Sequence, residues 1–237
     1  MEKELRESKN ELERLNSDLK HFSYAASHDL QAPLRTVMCY TQLLSRQYKG
    51  KLDQQADKMI AYTVEGARRM EAMLSGLREY WSFSERERPQ PVAIDSNGAL
   101  AKALDVLVVA IQDSGGAVTH DALPTIMADE VPLVLLFQNL IGNALKYRRV
   151  REAPRVHVSA QRTGNLWTFC VNDNGLGIKA EYLETIFAPF KRLHGSEHPG
   201  SGIGLAICQK IIERQGGKIW AESEHGEGST FRFTIPA

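Results

Sequence analysis

The chain has 237 residues, of which 43% are hydrophobic, as is ordinary for a soluble protein of one or two domains. Its 29 basic residues balance its 29 acidic residues, so no net positive charge favours nucleic acid or an anionic membrane surface. No apolar run approaches the roughly 18 residues that a membrane-spanning helix needs, and the charged start is unlike a signal peptide. Cys39, Cys170 and Cys208 are widely spaced in apolar surroundings, without zinc-type spacing, which predicts reduced core thiols in a cytoplasmic protein.

The first 21 residues are charged and carry apolar residues at heptad spacing. One series comprises Leu5, Leu12, Leu19 and Ala26, and a second comprises Leu15 and Phe22. Two interleaved series favour a parallel coiled coil over a single solvated helix, so we assign residues 1–21 to a coiled-coil helix.

His28 and Asp29 follow on the same predicted helix. Leu19, Phe22, Ala26 and Leu30 recur at steps of three and four and form an apolar stripe. At about 100° per residue, His28 points away from that stripe. A neutral exposed imidazole is a good nucleophile near pH 7, although a lone exposed histidine is more often only a solvated surface residue. Pro33 predicts a kink shortly after it.

A second amphipathic helix predicts a helical hairpin over residues 22–84. The first helix should end near Gly50, and Asp53 should cap the second, whose apolar residues continue to about Ser84. Two such hairpins would bury their apolar stripes as a four-helix bundle, so we expect a homodimer. The polar, proline-containing stretch 85–91 indicates a linker.

From residue 92 to residue 237 the pattern changes to a mixture of strands and helices. We predict strands at 92–94, 117–120, 155–162, 166–171, 218–222 and 230–235, and helices at 97–113, 131–148 and 202–215. This favours a two-layer α/β sandwich with helices on one face of an antiparallel-rich sheet. The whole chain is therefore predicted to be α+β, with a dimeric helical hairpin before the sandwich.

Two motifs of the second part suit a magnesium-bound nucleotide. Asn139, Asn143 and Lys146 lie on one side of a predicted helix, and amide oxygens with a lysine suit a metal-bound triphosphate. The turn at 173–177, Asp-Asn-Gly-Leu-Gly, follows an apolar strand. Its glycines let the backbone approach a flat ligand, and its aspartate accepts hydrogen bonds.

Two further segments complete this pattern. Residues 200–204, Gly-Ser-Gly-Ile-Gly, open a predicted helix, and the amides at a helix N-terminus bind anions. This segment lacks the Lys-Ser pair of a P-loop. Phe187, Phe190, Lys191, Arg192 and His194 precede it and form an aromatic and basic segment, which is a candidate lid.

In this order the motifs resemble the H, N, G1, F and G2 boxes of sensor histidine kinases. The H box would be His28 with Asp29 and Pro33, and the other boxes would be 139–143, 173–177, 187–192 and 200–204. The resemblance runs from about residue 22 to residue 236. The sequence around His28, and the segment Asn-Ala-Leu-Lys-Tyr-Arg at 143–148, are similar to those of the phytochrome-like branch of this family. No photosensory region is present, so we expect the sensor to be missing or removed.

The resemblance implies a protein histidine kinase that uses ATP and Mg²⁺. His28 would attack the γ-phosphate, while Asp29 would orient the ring or take up its proton. The phosphoryl group would then pass to an aspartate of a separate response regulator. A mobile ATP domain that is brought to a fixed histidine would be sufficient for this reaction, because phosphoryl transfer needs mainly positioning and charge stabilisation.

The same resemblance assigns the ATP site. Asn143 would hold the magnesium ion, Asp173 would read the adenine amino group, and Lys146 with Arg192 would steady phosphate charge. Other residues of the site come from the same boxes, with the backbone amides of the glycines at 202 and 204 offered to phosphate: Asn139, Tyr147, Gly175, Gly177, Phe190, Gly202, Gly204 and Leu205.

Three alternatives stay open beside the kinase. A gyrase-type hydrolase would need a glutamate four residues before the metal-binding asparagine, where this chain has Asn139. A non-catalytic dimeric scaffold that binds nucleotide is disfavoured by the intact boxes. A protein that mainly dephosphorylates its regulator would need a Thr or Asn one turn after His28, where this chain has Ala32, and Gln31 points about 100° away. We therefore expect a net kinase with weak phosphatase activity.

Overall fold

The computed structural model describes residues 2–85, 91–193 and 200–237, with few described side chains before residue 25. The residues form two compact units that divide near Ser82. The first unit is helical and the second combines a sheet with helices, so the predicted α+β class is confirmed. The predicted helices and strands occur in the predicted order, with one further strand between them. Some predictions lie outside the described residues or side chains, namely those on Leu5, Leu12, Leu19, Phe22, His194 and most of the linker.

Two long helices make up the first unit. Helix α1 spans Glu2–Tyr48 and continues through Pro33 without a break, and helix α2 spans Gln54–Glu85. The reversal between them follows the predicted signals. Gly50 has a positive φ of 75°, and the Asp53 carboxylate accepts a hydrogen bond from the Ala56 amide at 2.7 Å, which caps α2.

The two sides of α1 differ in burial within a single chain. Ser27 and Leu34 are buried, as is Ala67 on α2. Leu30, which the sequence places on the apolar stripe, is exposed together with Val37. One hairpin therefore covers only one side of this helix and leaves a second apolar side uncovered.

The second unit is a five-stranded sheet covered by helices, with a separate two-stranded sheet. Its strands are β1 Val92–Asp95, β2 Ala117–His120, β3 Thr125–Ala128, β4 Arg155–Thr163, β5 Leu166–Asp173, β6 Ile219–Glu224 and β7 Gly228–Pro236. Its helices are α3 Ser96–Ser114, α4 Glu130–Lys146 and α5 Gly204–Arg214, with a 3₁₀ turn at Ala180–Tyr182. The large sheet has the order β2-β4-β5-β7-β6, and its pairs are antiparallel except for the parallel pair β2·β4.

Strand β3 was not predicted, and β1 lies outside the large sheet. These two strands pair with each other, Val92 opposite Ala128 and Asp95 opposite Thr125. In β3 only Ile126 and Ala128 are buried, so its alternation covers four residues. A pattern this short cannot be distinguished from a loop without the partner strand.

Three phenylalanines hold α4 on the sheet. Phe137 of α4, Phe169 of β5 and Phe233 of β7 are fully buried. Phe169 and Phe233 stack with ring centroids 4.9 Å apart, and Phe137 meets both rings edge-on. This contact fixes the direction of α4, and with it the position of the residues at its C-terminal end.

The cysteines are only partly as predicted. All three are free thiols, and Cys208 is buried in α5. Cys170 is half-buried on β5, and Cys39 is exposed in the single chain, so the prediction of a core thiol is wrong for Cys39. Cys39 lies on a part of α1 that α2 does not cover. Among the described helices, none is long and apolar enough to cross a membrane.

Candidate functional site

Asp173 ends β5 and carries a buried carboxyl group, with 8% of its surface exposed. Its Oδ1 accepts hydrogen bonds from the amides of Gly175 at 2.7 Å and Ser229 at 3.3 Å. Both hydrogen bonds from described residues go to this one oxygen. Burial raises the pKa of Asp173 above its ordinary value, and the two backbone hydrogen bonds and the charge of Arg149 oppose this rise. The other carboxylate oxygen can accept a hydrogen bond from a ligand.

A cavity opens beside this carboxyl, between the end of α4, the turn after β5 and the start of α5. Its polar wall includes Asn143, Tyr147 and Asp173, and Lys191 and Arg192 add positive charge. The remaining wall is mostly apolar and comprises Ala144, Leu176, Gly177, Ile178, Ile186, Leu193, Leu205, Ser229 and Phe231. A largely apolar cavity with a few convergent polar groups is typical of a small-molecule site. Here it suits a flat ring at the carboxyl and an anionic group near the cations.

The glycines of the turn at 173–177 let it pack closely. A Cβ on Gly175 would lie 2.7 Å from both Asp173 Oδ1 and the Tyr147 carbonyl oxygen. Gly177 has a φ of +69°, and a Cβ there would overlap the carbonyl oxygen of Glu224. The Leu176 amide donates to the Tyr147 carbonyl at 2.9 Å, which joins the turn to the end of α4. A larger residue at Gly175 would displace the carboxyl of Asp173, and one at Gly177 would push the turn away from the end of β6.

The other predicted residues of α4 do not line this cavity. Lys146 Nζ donates to the Tyr147 hydroxyl at 2.8 Å and lies 4.4 Å from the centre of that ring. Asn139 Nδ2 donates to the Leu135 carbonyl at 3.0 Å, within its own helix. A Cβ on Gly204 would overlap Asn139 Oδ1. Asn139 therefore packs against the start of α5.

The candidate lid contains a strained residue. Phe190 has a φ of 63° and is the only non-glycine residue with positive φ among the described ones. Such a conformation costs on the order of 1–3 kcal/mol and persists only where the surroundings hold it. A Cβ on Gly202 would lie 3.0 Å from the Phe190 carbonyl carbon and 3.1 Å from the Lys191 carbonyl oxygen. The glycine at 202 thus allows residues 190–192 to lie close to the start of α5.

His28 belongs to the other unit and is open to solvent. Its side chain is 76% exposed and that of Asp29 is 81% exposed, with Nδ1 and Oδ1 3.2 Å apart. A carboxylate can only accept hydrogen bonds, so Nδ1 is the nitrogen that carries the proton in this pair. The Nε2 lone pair of a neutral ring is then available to an electrophile.

Magnesium fits this site only together with a phosphate ligand. Among the described residues there is no group of three or more His, Cys, Asp or Glu side chains that could hold a metal ion. Mg²⁺ commonly binds through one or two protein oxygens, substrate phosphates and water. The Asn143 side chain on the cavity wall supplies one such oxygen.

Both units match known families. Residues 18–81 match the His Kinase A (phospho-acceptor) domain, and residues 128–237 match the histidine kinase-, DNA gyrase B-, and HSP90-like ATPase family. The chain is 46% identical to cyanobacterial phytochrome A of Nostoc sp., over 98% of the chain and 30% of that protein. It is 42% identical to the phytochrome-like protein Cph1 of Synechocystis sp., over 98% of the chain and 31% of that protein.

The chain is a sensor histidine kinase core of the phytochrome-like branch. It spans about 30% of the length of these two curated relatives. Its fold is also that of the full-length histidine kinase ShkA, whose crystal structure contains AMPPNP. The TM-score is 0.67 at 24% identity, over 91% of this chain and 45% of that one.

In this kinase core the cavity brings together half of the residues that the sequence assigns to the ATP site. Those on its wall are Asn143, Tyr147, Asp173, Gly177, Arg192 and Leu205. Those beside or behind the wall are Asn139, Lys146, Gly175, Phe190, Gly202 and Gly204. The contacts of each residue are therefore defined, while its role in nucleotide binding stays a prediction.

Sequence reasoning missed the contribution of β7 to the kinase core's cavity. The antiparallel pairing of β5 with β7 places Ser229 opposite Asp173 and Phe231 opposite Val171. Alternation along β7 predicts that Phe231 faces the core, but it does not say which strand lies alongside. No local signal would have identified Ser229.

Proposed function

We propose that this kinase core transfers the γ-phosphoryl group of ATP to His28 and then to an aspartate of a response regulator. The observation that carries the proposal is the pairing of Nδ1 of His28 with the Asp29 carboxylate, in a chain that also has a cavity at a buried aspartate. The first feature supplies a nucleophile, and the second supplies a site for the donor.

ATP would bind with its adenine amino group on Asp173. The apolar wall, including Leu176 and Ile178, would cover the ring, and Lys191 with Arg192 would attract the phosphates. Mg²⁺, held through Asn143, supplies charge neutralisation on the phosphates when it is bound. The buried carboxyl suits an amino group because one of its oxygens receives no hydrogen bond from described residues.

The transfer requires few groups from the protein. The Nε2 lone pair of His28 forms a bond to the γ-phosphorus, while the bond from that phosphorus to the β,γ-bridging oxygen breaks and its electron pair leaves with ADP. The ring becomes positively charged, and the Asp29 carboxylate stabilises this charge and accepts the Nδ1 proton. Phosphohistidine results, ready to pass its phosphoryl group to a carboxylate.

The kinase core would act as a homodimer. On α1, Leu30, Val37 and Leu44 are spaced seven residues apart and are about half exposed in the single chain, and on α2 Met59 and Met70 are exposed as well. Apolar residues with this spacing belong in a helix interface rather than in water. A second hairpin would cover them and form a four-helix bundle.

The response regulator would meet the hairpin near His28. A cavity of about 320 Å³ lies between α1 and α2, and its wall includes three arginines and one carboxylate, namely Arg35, Arg68, Arg78 and Glu71. Arg35 follows His28 by two helical turns and therefore lies on nearly the same side of α1. A partner that presents carboxylates around its acceptor aspartate fits this positive surface.

The proposed reaction is tested by incubating the chain with γ-labelled ATP and Mg²⁺. We expect a label that is labile in acid and stable in base, which chases onto the aspartate of a cognate receiver domain. A label on the parent chain that resists acid, or ATP hydrolysis without any labelled protein, would contradict the proposal. The hydrolase alternative lacks support, because the position of its glutamate holds Asn139, whose amide is bonded to its own helix.

A further inference from the structure

We infer that Glu152 is a positioning residue of the nucleotide site, which clamps the loop 147–154 onto the turn 173–177 and thereby sets selectivity for adenine over guanine. The inference rests on the proposed binding of ATP in the second unit. It concerns a residue outside the five boxes and outside the wall of the cavity.

The carboxylate of Glu152 collects three side-chain donors. Its Oε1 accepts from Asn174 Nδ2 at 2.9 Å and from Arg155 Nη2 at 2.9 Å, and its Oε2 accepts from Arg149 Nη1 at 3.0 Å. The hydrogen bond from Asn174, with the charges of the two arginines, holds the pKa of Glu152 below its ordinary range. The group is therefore ionised at neutral pH, when all three bonds are made.

Asn174 and Arg149 make further hydrogen bonds that also join the loop to the turn. Asn174 Oδ1 accepts from the Arg155 amide at 2.7 Å, and its Nδ2 also donates to the Ala153 carbonyl at 3.1 Å. Arg149 Nε donates to the Gly175 carbonyl at 3.2 Å. The loop after α4 is thus tied by side chains to two consecutive residues of the turn after β5.

These bonds lead directly to the adenine-reading group. Arg149 holds the carbonyl of Gly175, and the amide of the same glycine donates to Asp173 Oδ1. The loop starts at Tyr147, whose carbonyl accepts from Leu176 and whose side chain lies on the cavity wall. Glu152 therefore determines the spacing between Asp173 and the end of α4.

Spacing decides selectivity because adenine and guanine differ in the group that faces the carboxylate. Adenine presents an amino donor where guanine presents a carbonyl oxygen, and a fixed carboxylate attracts the first and repels the second. If the carboxylate can move away, it attracts the adenine amino group less strongly and repels the guanine carbonyl oxygen less strongly. Glu152 is about one-third exposed, so solvent screens the clamp and we expect a moderate effect.

The experiment measures dissociation constants of ADP and GDP by displacement of a fluorescent ATP analogue from the full chain. The variants are Glu152→Ala, Glu152→Gln, which keeps one amide acceptor, and Asn174→Ala. Glu213→Ala, at an exposed site on α5, is the matched control. Thermal unfolding of each protein without nucleotide is measured alongside.

For Glu152→Ala we expect the ADP dissociation constant to rise about fivefold and the GDP value to change less than twofold, so that selectivity falls. Asn174→Ala should behave similarly, Glu152→Gln should lie between it and the parent, and the control should match the parent. If Glu152→Ala does not fold, Glu152→Gln and Asn174→Ala provide the same comparison of the ADP and GDP dissociation constants.

Equal weakening of ADP and GDP, or an unchanged ADP dissociation constant in folded variants, would overturn the positioning role while leaving the proposed function intact. A parent chain that does not bind ADP would overturn the proposed function, and this inference with it.

Discussion

The two units of this kinase core differ in whether their proposed functional groups are exposed or buried. The hairpin keeps His28 and Asp29 in solvent and leaves apolar side chains such as Leu30 and Val37 exposed in a single chain. The second unit, which is called the ATP unit below, instead buries Phe137, and it keeps the carboxyl of Asp173 almost completely out of water. A phosphoacceptor must be reached by two different partners, whereas a nucleotide reader must exclude water. We therefore expect the hairpin to depend on a second copy and the ATP unit to depend on its own core.

The largest expected effect separates the two units chemically. His28→Ala should abolish histidine phosphorylation, because no other side chain is proposed to attack ATP, while ADP affinity stays within about twofold of the parent. Label incorporation and nucleotide displacement measure the two quantities on one preparation. Retained acid-labile label in this variant would remove His28 from the mechanism.

Asn143→Ala tests the opposite unit. We expect Mg²⁺-dependent nucleotide binding to weaken by about tenfold to a hundredfold, since the oxygen proposed to hold the metal ion is lost from the cavity wall. The mass measured by light scattering should not change, because Asn143 lies outside the hairpin. Calorimetry that gives the parent's affinity for ATP with magnesium would exclude the metal role. Glu213→Ala serves here too as a surface control.

The dependence of the hairpin on a second copy is tested by replacing its exposed apolar residues. Val37→Glu with Leu44→Glu should shift the protein from dimer to monomer at micromolar concentration, because two charges would be buried in the helix interface. Arg46→Glu, at an exposed position about 200° around the same helix from Leu44, should leave the dimer intact. ADP binding should persist in the monomer. A dimer that survives the double substitution would place the interface elsewhere.

Asp173→Asn probes the burial of the carboxyl itself. Because the pKa of Asp173 is raised in the folded protein, the folded state binds more protons than the unfolded state, and its carboxyl destabilises the fold progressively as pH rises above the ordinary value of 3.8. The asparagine variant should therefore gain stability relative to the parent between pH 4 and neutrality, and it should bind ADP more weakly. Chemical unfolding at several pH values checks this trend. A constant difference across that range would show that burial does not govern this group.

The smallest effect concerns the reverse reaction at the hairpin. Ala32 offers no hydrogen bond to water one turn after His28, and Gln31 is engaged by Arg78 Nη1 at 3.5 Å. We expect slow loss of label from the phosphorylated regulator with ADP present, and a severalfold increase with Ala32→Thr. Ala32→Val is the control, because valine has the shape of threonine but lacks its hydroxyl group. Fast dephosphorylation by the parent would show that another group positions the water.

Local signals in the sequence were sufficient for the helices, for every strand except β3, and for the order of the boxes. Asp53 caps α2 where its carboxylate side chain and the following helical pattern predict a start, and Gly115 ends α3 with a φ of 64°. Such signals act within one or two helical turns, so they can be recognised without knowing the fold. The family follows from the order of His28, the asparagine box and the glycine boxes along the chain.

Only the tertiary structure decided which distant residues meet. Strand β3 is defined by its pairing with β1, Ser229 joins the site through its register with Asp173, and Glu152 reaches Asn174 across 22 positions of sequence. The exposure of Cys39 likewise depends on where α2 lies along α1. Strand register and side-chain contacts between separate loops are set by packing of the whole unit, and no periodicity along a single stretch of chain records them.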